Sequence, residues 1–279
     1  MLGWQIAAYW ALGLLLAAGA LWLLRPQGRV GRAAVAGVRE CGLVLGLFAF
    51  WQLAGTMAHH NPDGAVGRGE RILDIERSAH IASEYDINHW VDRHSILTQL
   101  CNGFYVYGHF NGLIIFLAWI FIAHRSLYPS VRMSVVLVTA MCFLGHLVTT
   151  VAPPRLLPGG GFIDTAAQHG QSVYGPTTLE VADQLSAFPS VHVGWAAIVA
   201  YWAWRASPGK WGWVGVAHFV LTSLVVVATA NHYWLDGILA MAIFAFALLL
   251  QASVPILVRA SRPGSTRPGD AAEEPALVR

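Results

Sequence analysis

Long apolar segments recur along the whole chain, and they constrain its fold more than any other feature. A helix that crosses a bilayer needs about 20 consecutive, mostly apolar residues. Seven segments approach that length: 4–24, 38–57, 104–124, 131–151, 188–204, 211–230 and 234–258. Only 11% of the residues are charged, whereas an average soluble domain carries about 25%. The pattern predicts an all-α, polytopic membrane helix bundle.

The basic residues predict how this bundle is oriented. Twelve of the 17 Lys and Arg residues fall in the stretches 25–39, 125–132, 205–210 and 259–279, which lie on one side of the predicted spans. Cytoplasmic loops carry the excess of Lys and Arg. We therefore expect the N-terminus and the two long loops, 58–103 and 152–187, outside the membrane and the C-terminus in the cytoplasm.

The first outer loop carries a helical pattern of its own. Ile72, Ile75, Ala79 and Ala82 recur at helical spacing between charged residues. This spacing predicts a helix that lies on the outer surface. The tail from Ser261 is rich in Pro, Gly and charge, which predicts disorder.

Composition excludes several classes of partner. A net charge of +2 is too small to indicate nucleic-acid binding. Cys41, Cys101 and Cys142 are far apart and give neither a disulfide framework nor a metal spacing. We therefore predict no metal, no other cofactor and no nucleic acid, and the sequence leaves the oligomeric state open.

A first candidate motif follows the fourth span, in "VAPPRLLPGGGFID". Arg155 is the only basic residue of the second outer loop. Its planar guanidinium suits bidentate capture of a phosphate. The alternative is an arginine that reaches from the span to the interface.

A second candidate motif opens the fifth span, in "FPSVHVGW". Pro189 is expected in the first helical turn, where its missing N–H costs nothing. Ser190 and His192 would then lie in that turn, where free amides and the helix dipole favour an anion. The alternative is a capping serine and an interfacial histidine.

A third candidate motif precedes and opens the seventh span, in "ANHYWLDG". Asn231 is expected to cap the helix. His232 and Asp236 are four residues apart and share one helix face. Asp236 can then accept a hydrogen bond from His232 Nδ1 and leave Nε2 towards a substrate, an arrangement found in many catalytic sites.

The spacing of these motifs predicts one site. The forty residues between His192 and His232 hold two membrane crossings and a short Arg–Lys turn. Both histidines therefore lie at the outer face, and Arg155 reaches the same face from the preceding span. We predict a catalytic group of His192, His232 and Asp236 beside Arg155.

At these residues the chain resembles the type 2 phosphatidic acid phosphatase superfamily. Its members carry a basic first motif, a second with Pro-Ser-x-His and a third that ends His-x-x-x-Asp. "PSVH" at 189–192 and "HYWLD" at 232–236 match the second and third. The His-Tyr-x-x-Asp form and "PPRLLPGGGFIDT" are more similar to the inositol phosphorylceramide and sphingomyelin synthase branch. The resemblance implies a six-helix core at 36–258, an extra span and cytoplasmic loop at 1–35, and a cytoplasmic tail at 259–279.

The resemblance also implies a mechanism and a substrate. His232 would attack the phosphorus of a lipid phosphoester and form a phosphohistidine, Asp236 would orient it, and His192 would protonate the leaving oxygen. Arg155, Ser190 and His169 would bind the phosphate, without a metal. Water as acceptor gives a phosphatase; an alcohol such as inositol gives a phosphotransferase. A multi-pass protein of a bacterial plasma membrane, with its site outside, is expected.

Two departures from the phosphatase pattern keep alternatives open. The first motif lacks its usual Lys, and Val226 stands where the third motif usually has Arg, six residues before the histidine. The phosphate pocket would carry less positive charge than in a phosphatidic acid phosphatase. The alternatives are a proton-coupled transporter, a metal-dependent membrane hydrolase that uses the same His/Asp cluster, and a non-catalytic lipid-binding relative.

Overall fold

The computed structural model describes residues 4–23, 28–58, 64–172, 185 and 187–260, and the regular elements of these residues are helices. In chain order they are α1 (Trp4–Leu23), α2 (Gly28–Ala58), α3 (Ala65–Ser78), α4 (Glu84–Asp92), α5 (Ser95–Gly103), α6 (His109–Ala123), α7 (Tyr128–Val148), α8 (Thr165–Gln168), α9 (Val191–Ala206), α10 (Lys210–Ala228) and α11 (Trp234–Ala260). The predicted all-α bundle is confirmed. The predicted disordered tail, 261–279, lies outside the described residues.

Helices long and apolar enough to cross a membrane make this an integral membrane protein. Within the described residues they are Ser95–Ala123, Tyr128–Val148, Lys210–Ala228 and Trp234–Ser253. The first of them begins earlier than predicted, because α5 continues through a π-helical turn, Phe104–Gly108, into α6. The three other predicted crossings, and the division at residues 35 and 258, stay predictions.

Helix α9 lies at the centre of the bundle and has only 16 residues. It packs against α6, α7, α10 and α11, and ten of its residues are buried. Gly194 lets α7 approach closely, since a Cβ there would lie 2.8 Å from Val138 Cγ1. Trp195 and Trp202 donate their indole N–H groups to hydroxyls of α7. A helix enclosed by protein needs neither a polar face nor a full membrane length.

The loop predicted to lie outside the membrane forms two helices, α3 and α4, where the sequence predicted one. The predicted helical spacing is wrong beyond Ile75, because α3 ends at Ser78 and Ala79 and Ala82 lie between the two helices. The buried face of α3 comprises Ala65, Gly69, Ile72, Leu73 and Glu76. An acidic residue belongs to this face, which is why apolar spacing alone misplaced it.

Several main-chain contacts hold α3 on the end of the bundle. Arg68 donates to the carbonyl and the hydroxyl of Thr150, and the Ala152 amide donates to the Ala65 carbonyl. Gly69 is required where α3 touches Tyr233, since a Cβ there would lie 2.6 Å from the phenol oxygen. Helix α3 is therefore fastened to the segment after α7 and to the start of α11.

A buried ion pair joins α2 and α7 at the opposite end of the bundle. Arg132 Nη1 lies 2.6 and 2.7 Å from the two carboxylate oxygens of Glu40, which is 6% exposed. These residues belong to, or adjoin, two of the basic stretches that the sequence assigned to one side. The two stretches therefore meet at one end of the bundle, away from the three motifs.

Candidate active site

The first motif is fixed by backbone pairing. Val151 exchanges main-chain hydrogen bonds with Leu185 and Ala187, and a 3-10 turn follows at Pro154–Leu156. The Arg155 amide donates to the Ala230 carbonyl, which brings this loop against the third motif. The Arg155 side chain is 3% exposed, and its Nε lies 3.5 Å from Asp164 Oδ2. The guanidinium is thus held inside the protein by an acidic neighbour.

The second motif starts α9 two residues later than expected. Pro189 precedes the helix, Ser190 is the N-cap, and α9 begins at Val191. The prediction that Pro189 lies in the first turn is therefore wrong, because the serine side chain takes the capping role by accepting from the Val193 amide at 3.3 Å. The Ser190 amide in turn donates to the Asp236 carbonyl, so the cap is joined to α11.

The third motif occupies a sharp reversal between α10 and α11. Ala230 has φ 53°, a left-handed conformation that costs a residue with a Cβ about 1–2 kcal/mol. Asn231 does not cap α11, because its side-chain Nδ2 group donates to the hydroxyl and the carbonyl of Thr229. Asp236 takes that role: its Oδ2 accepts from the Tyr233 amide at 2.9 Å. The strain is concentrated where His232 must be aimed.

Two acceptors fix the tautomer of His232. Its Nδ1 lies 2.8 Å from the Ala187 carbonyl and 3.1 Å from Asp236 Oδ2. Because neither acceptor carries a hydrogen when the carboxylate is ionised, Nδ1 must be protonated. His232 Nε2 therefore keeps its lone pair and points away from Asp236, as the sequence predicted.

His192 lies directly in front of that lone pair. Its Nδ1 is 3.3 Å from His232 Nε2, and since Nε2 is the acceptor, His192 Nδ1 is the donor. The Tyr105 ring stacks on His192 with centroids 4.7 Å apart. The His109 ring, from α6, lies 5.3 Å from it. One proton-bearing nitrogen and one bare nitrogen thus face each other at the site.

Burial and charge keep His232 neutral. Burial lowers its pKa to about 4, the hydrogen bond to the Ala187 carbonyl opposes this shift, and the positive charge of Arg155 adds to it. An uncharged imidazole is the nucleophilic form. This effect on the pKa of His232 means that Arg155 is near enough to act on the imidazole electrostatically.

A polar cleft opens beside Arg155. Its lining residues are Asn102, Tyr105, Val106, Arg155, Asp164, Ala166, Gln171, Ser172 and Asn231. Tyr105 connects the cleft to His192, and Asn231 precedes His232 in the chain. The cleft thus places several polar side chains beside Arg155, at the end of the bundle that holds the histidine pair.

Five of the six predicted site residues come together. His192, His232 and Asp236 form one hydrogen-bonded row, with Arg155 and Ser190 attached through the main chain. His169, at the end of α8, is half-buried and has no hydrogen bond or ring contact with this group in the described residues. Its role stays a prediction.

Sequence reasoning missed three groups at this site. The Ala187 carbonyl orients His232, Tyr105 stacks on His192 and Asp164 pairs with Arg155. Tyr105 had a signal that could have found it, since its hydroxyl interrupts an apolar span. The Ala187 carbonyl could not have been found in this way, because every residue has a main-chain carbonyl and the residue type does not mark it.

At one end of this helical membrane bundle, a neutral histidine oriented by a carboxylate lies beside a guanidinium. This combination of fold and site is typical of membrane enzymes that act on phosphate esters. The model of the PAP2 superfamily matches residues 70–250, more than half of the 279-residue chain, and the protein belongs to this superfamily. Members are phosphoesterases, so a phosphatase-type function is supported. No curated protein and no solved structure matches the chain.

Val226 illustrates how this member departs from the phosphatase pattern. It lies in the last turn of α10, is 2% exposed and packs with Val193 and Ala240. Its carbonyl accepts from the amides of Asn231 and His232. The main chain and the packing of Val226 support the reversal between α10 and α11, and its side chain adds no charge beside His232.

Proposed function

We propose that the protein cleaves a lipid phosphoester at the outer face of the membrane through a phosphohistidine on His232. The observation that carries this proposal is the row Asp236, His232, His192, in which one imidazole has an oriented, bare Nε2 and the next has an N–H aimed at it. Nucleophile, orienting group and acid are thereby in line.

In the first step, the lone pair of His232 Nε2 attacks phosphorus as the bond from phosphorus to the lipid oxygen breaks. The leaving oxygen takes the Nδ1 proton of His192. The negative phosphate favours the protonated, cationic form of His192 as it binds. Asp236 stabilises the positive charge that develops on His232. General acid help of this kind contributes about 10²–10⁴-fold.

Arg155 and Ser190 are proposed to hold the non-bridging phosphate oxygens. The Ser190 oxygen already accepts from the Val193 amide, so its hydroxyl hydrogen is available to donate. Stabilisation of developing oxyanion charge by fixed donors is often the largest catalytic term. With Val226 apolar, Arg155 would supply the positive charge.

In the second step, an acceptor oxygen attacks phosphorus on the other side of the Nε2–P bond. Neutral His192 removes the proton of that acceptor, and His232 leaves with its lone pair restored. Water yields inorganic phosphate, whereas an alcohol such as inositol yields a new phosphodiester or phosphoester. The side chains of Asn102, Gln171 and Ser172 line the cleft and would offer hydrogen bonds to the hydroxyl of the acceptor.

Substrate entry requires the histidine pair to separate. At 3.3 Å, His192 Nδ1 and His232 Nε2 are directly hydrogen-bonded, and a phosphoryl group cannot fit between them. The described arrangement is therefore a resting state in which the Nδ1 hydrogen of His192 is bonded to the nucleophilic Nε2 of His232. Binding of phosphate replaces this hydrogen bond with contacts to phosphate oxygens.

The test is incubation of purified protein with a panel of labelled lipid phosphates, with and without inositol, and chromatography of both products. We expect an acid-labile, base-stable label on wild-type protein and none on His232→Ala. His124→Ala, at the other end of the bundle, is the matched control and should retain the label. A His232→Ala protein that inserts and still turns over at the wild-type rate would refute the proposal.

A second candidate function has a specific observation in its favour. Beyond His192, the rings of His109 and His218 stack 5.2 Å apart, so imidazoles extend from the site into the bundle. A proton relay for transport would use such a row. Proton flux in vesicles that persists in His232→Ala, without any phosphate release by wild type, would favour the transporter. Loss of turnover on chelation, restored by metal, would instead favour a metal-dependent hydrolase.

A further inference from the structure

Two acidic residues of the outer helices meet the first turn of the helix that carries Asp236. Glu76 of α3 is 1% exposed and Glu84 of α4 is 4% exposed. Glu76 Oε1 accepts from the Leu235 amide at 2.7 Å, and Glu84 Oε1 accepts from the Trp234 amide at 3.4 Å. Acidic side chains are rarely buried to this extent unless they have partners.

These contacts complete the N-terminus of α11. The first amides of a helix have no partner inside the helix. Here Asp236 accepts from Tyr233, and the two glutamates accept from the next two amides. The Trp234 indole also donates to the Ala82 carbonyl, between α3 and α4. The capping acids come from segments about 150 residues away, so they fix α11 relative to the outer helices as well as satisfying its amides.

The second carboxyl oxygen of Glu76, Oε2, has no hydrogen-bond partner among the described residues. Burial of an unpartnered carboxylate oxygen is costly when the group is ionised. Burial raises the pKa of Glu76 to about 9, with the neighbouring Glu84 adding to the shift and the Leu235 amide opposing it. The protonated form of Glu76 is therefore favoured at neutral pH.

We propose that Glu76 and Glu84 act as a carboxyl clamp that positions His232 and Asp236 for the phosphoryl-transfer reaction. The clamp contacts no substrate; it acts through the main chain of Trp234 and Leu235. This inference rests on the proposed function for its effect on turnover. Its structural part, the restraint on the first turn of α11, is independent of that function.

The clamp carries a pH dependence that comes from its surroundings. The ionisable groups around Glu76 are Glu84 and Tyr85 of α4, Tyr233 and Asp236 at the start of α11, and Arg77 of α3. Arg77 is exposed and pairs with the exposed Asp74, so it offsets little of the buried negative charge. When pH rises through about 9, Glu76 loses its proton, its carboxylate is repelled by the neighbouring acids and the first turn of α11 loosens.

Glu76→Gln and Glu76→Ala separate the two parts of the clamp. Glutamine keeps the oxygen that accepts from Leu235, and its amide N–H replaces the carboxyl hydrogen without ionising. Alanine removes both. Glu70→Ala, which removes an exposed acid from the same helix, is the matched control. Each variant is measured for kcat, KM and pH profile, and for amide hydrogen exchange of the peptide that contains residues 233–236.

For Glu76→Ala we expect at least about tenfold faster exchange at Trp234 and Leu235. We also expect a fall in kcat towards the roughly 10²-fold that a 1 Å misplacement can cost, with KM little changed. Glu76→Gln should match wild type at pH 7 and lose the fall in activity near pH 9, and Glu70→Ala should match it throughout. Wild-type exchange in Glu76→Ala, or an unchanged alkaline fall in Glu76→Gln, would overturn the clamp.

The two proposals fail in different ways. If His232→Ala left turnover intact, the proposed function would be wrong, yet exchange at residues 233–236 would still decide whether the clamp exists. If Glu76→Ala does not insert, Glu76→Gln decides alone. Its pH profile must change for the clamp to stand.

Discussion

Replacement of Asp236 by Asn isolates the charge of the carboxylate from its hydrogen bonds. Asp236 is fully buried, and its Oδ2 accepts from His232 Nδ1 and from the Tyr233 amide. An Asn side-chain oxygen can take both contacts. The Ala187 carbonyl, 2.8 Å from the same Nδ1, still fixes the tautomer. What Asp236→Asn removes is the negative charge that stabilises the cationic imidazole.

The size of this effect follows from the distance. Two unit charges 3.1 Å apart interact by about 5 kcal/mol at an effective dielectric constant of about 20. With about half a unit charge on His232 in the transition state, Asp236→Asn loses about 3 kcal/mol. That corresponds to a fall in kcat of about 10²-fold, smaller than expected where a carboxylate alone holds the tautomer.

The assay is single-turnover formation of the labelled phosphohistidine, followed by steady-state release of product. Asp74→Asn, which neutralises an exposed acid of α3, is the control and should match wild type. Asp236→Asn protein with wild-type kcat would refute the electrostatic role of Asp236. A loss as complete as that of His232→Ala would refute the claim that Ala187 holds the tautomer.

Three further outcomes are expected. The pKa of His232 is about 4 against an ordinary 6.5, so the unfolded chain binds more protons than the folded chain between these pH values. The free energy of unfolding should therefore rise by up to about 3 kcal/mol as pH increases from 4 to 6.5. Thermal melts in detergent should show a smaller pH dependence for His232→Gln. Gly145→Ala places a Cβ 2.6 Å from Pro189 Cδ, so it should lower the free energy of unfolding by about 1–3 kcal/mol and reduce kcat. Gly103→Ala is the control: a Cβ there has nothing within 4 Å and should stabilise the helix by about 0.5–1 kcal/mol. Arg155→Lys keeps the charge but loses the planar fork, so kcat/KM for lipid phosphate should fall at least about tenfold, and unchanged kinetics would exclude bidentate binding.

Much of the fold could be predicted because apolar length acts over whole segments. The spacing of apolar residues misjudged a helix face that protein encloses. The buried face of α3 includes Glu76, an acid that apolar spacing excludes. Burial on all sides removes the contrast between faces on which such predictions depend.

The candidate site was predictable where the chain itself sets the geometry. His232 and Asp236 are four residues apart and meet as predicted, although the shared helix face was wrong because α11 begins only at Trp234. Two helices return His192 to the same end. The groups that sequence reasoning missed lie across long separations: Tyr105 comes from α5–α6, and the Ala187 acceptor is a main-chain carbonyl. The residue type at position 187 has no bearing on that contact.

One short stretch of chain controls both imidazoles of the pair. The carbonyl of Ala187 orients His232, and five residues later the same stretch supplies His192. A displacement of this stretch would turn the attacking ring and withdraw its proton donor in a single movement. The orientation of one ring and the position of the other are therefore coupled through one backbone segment.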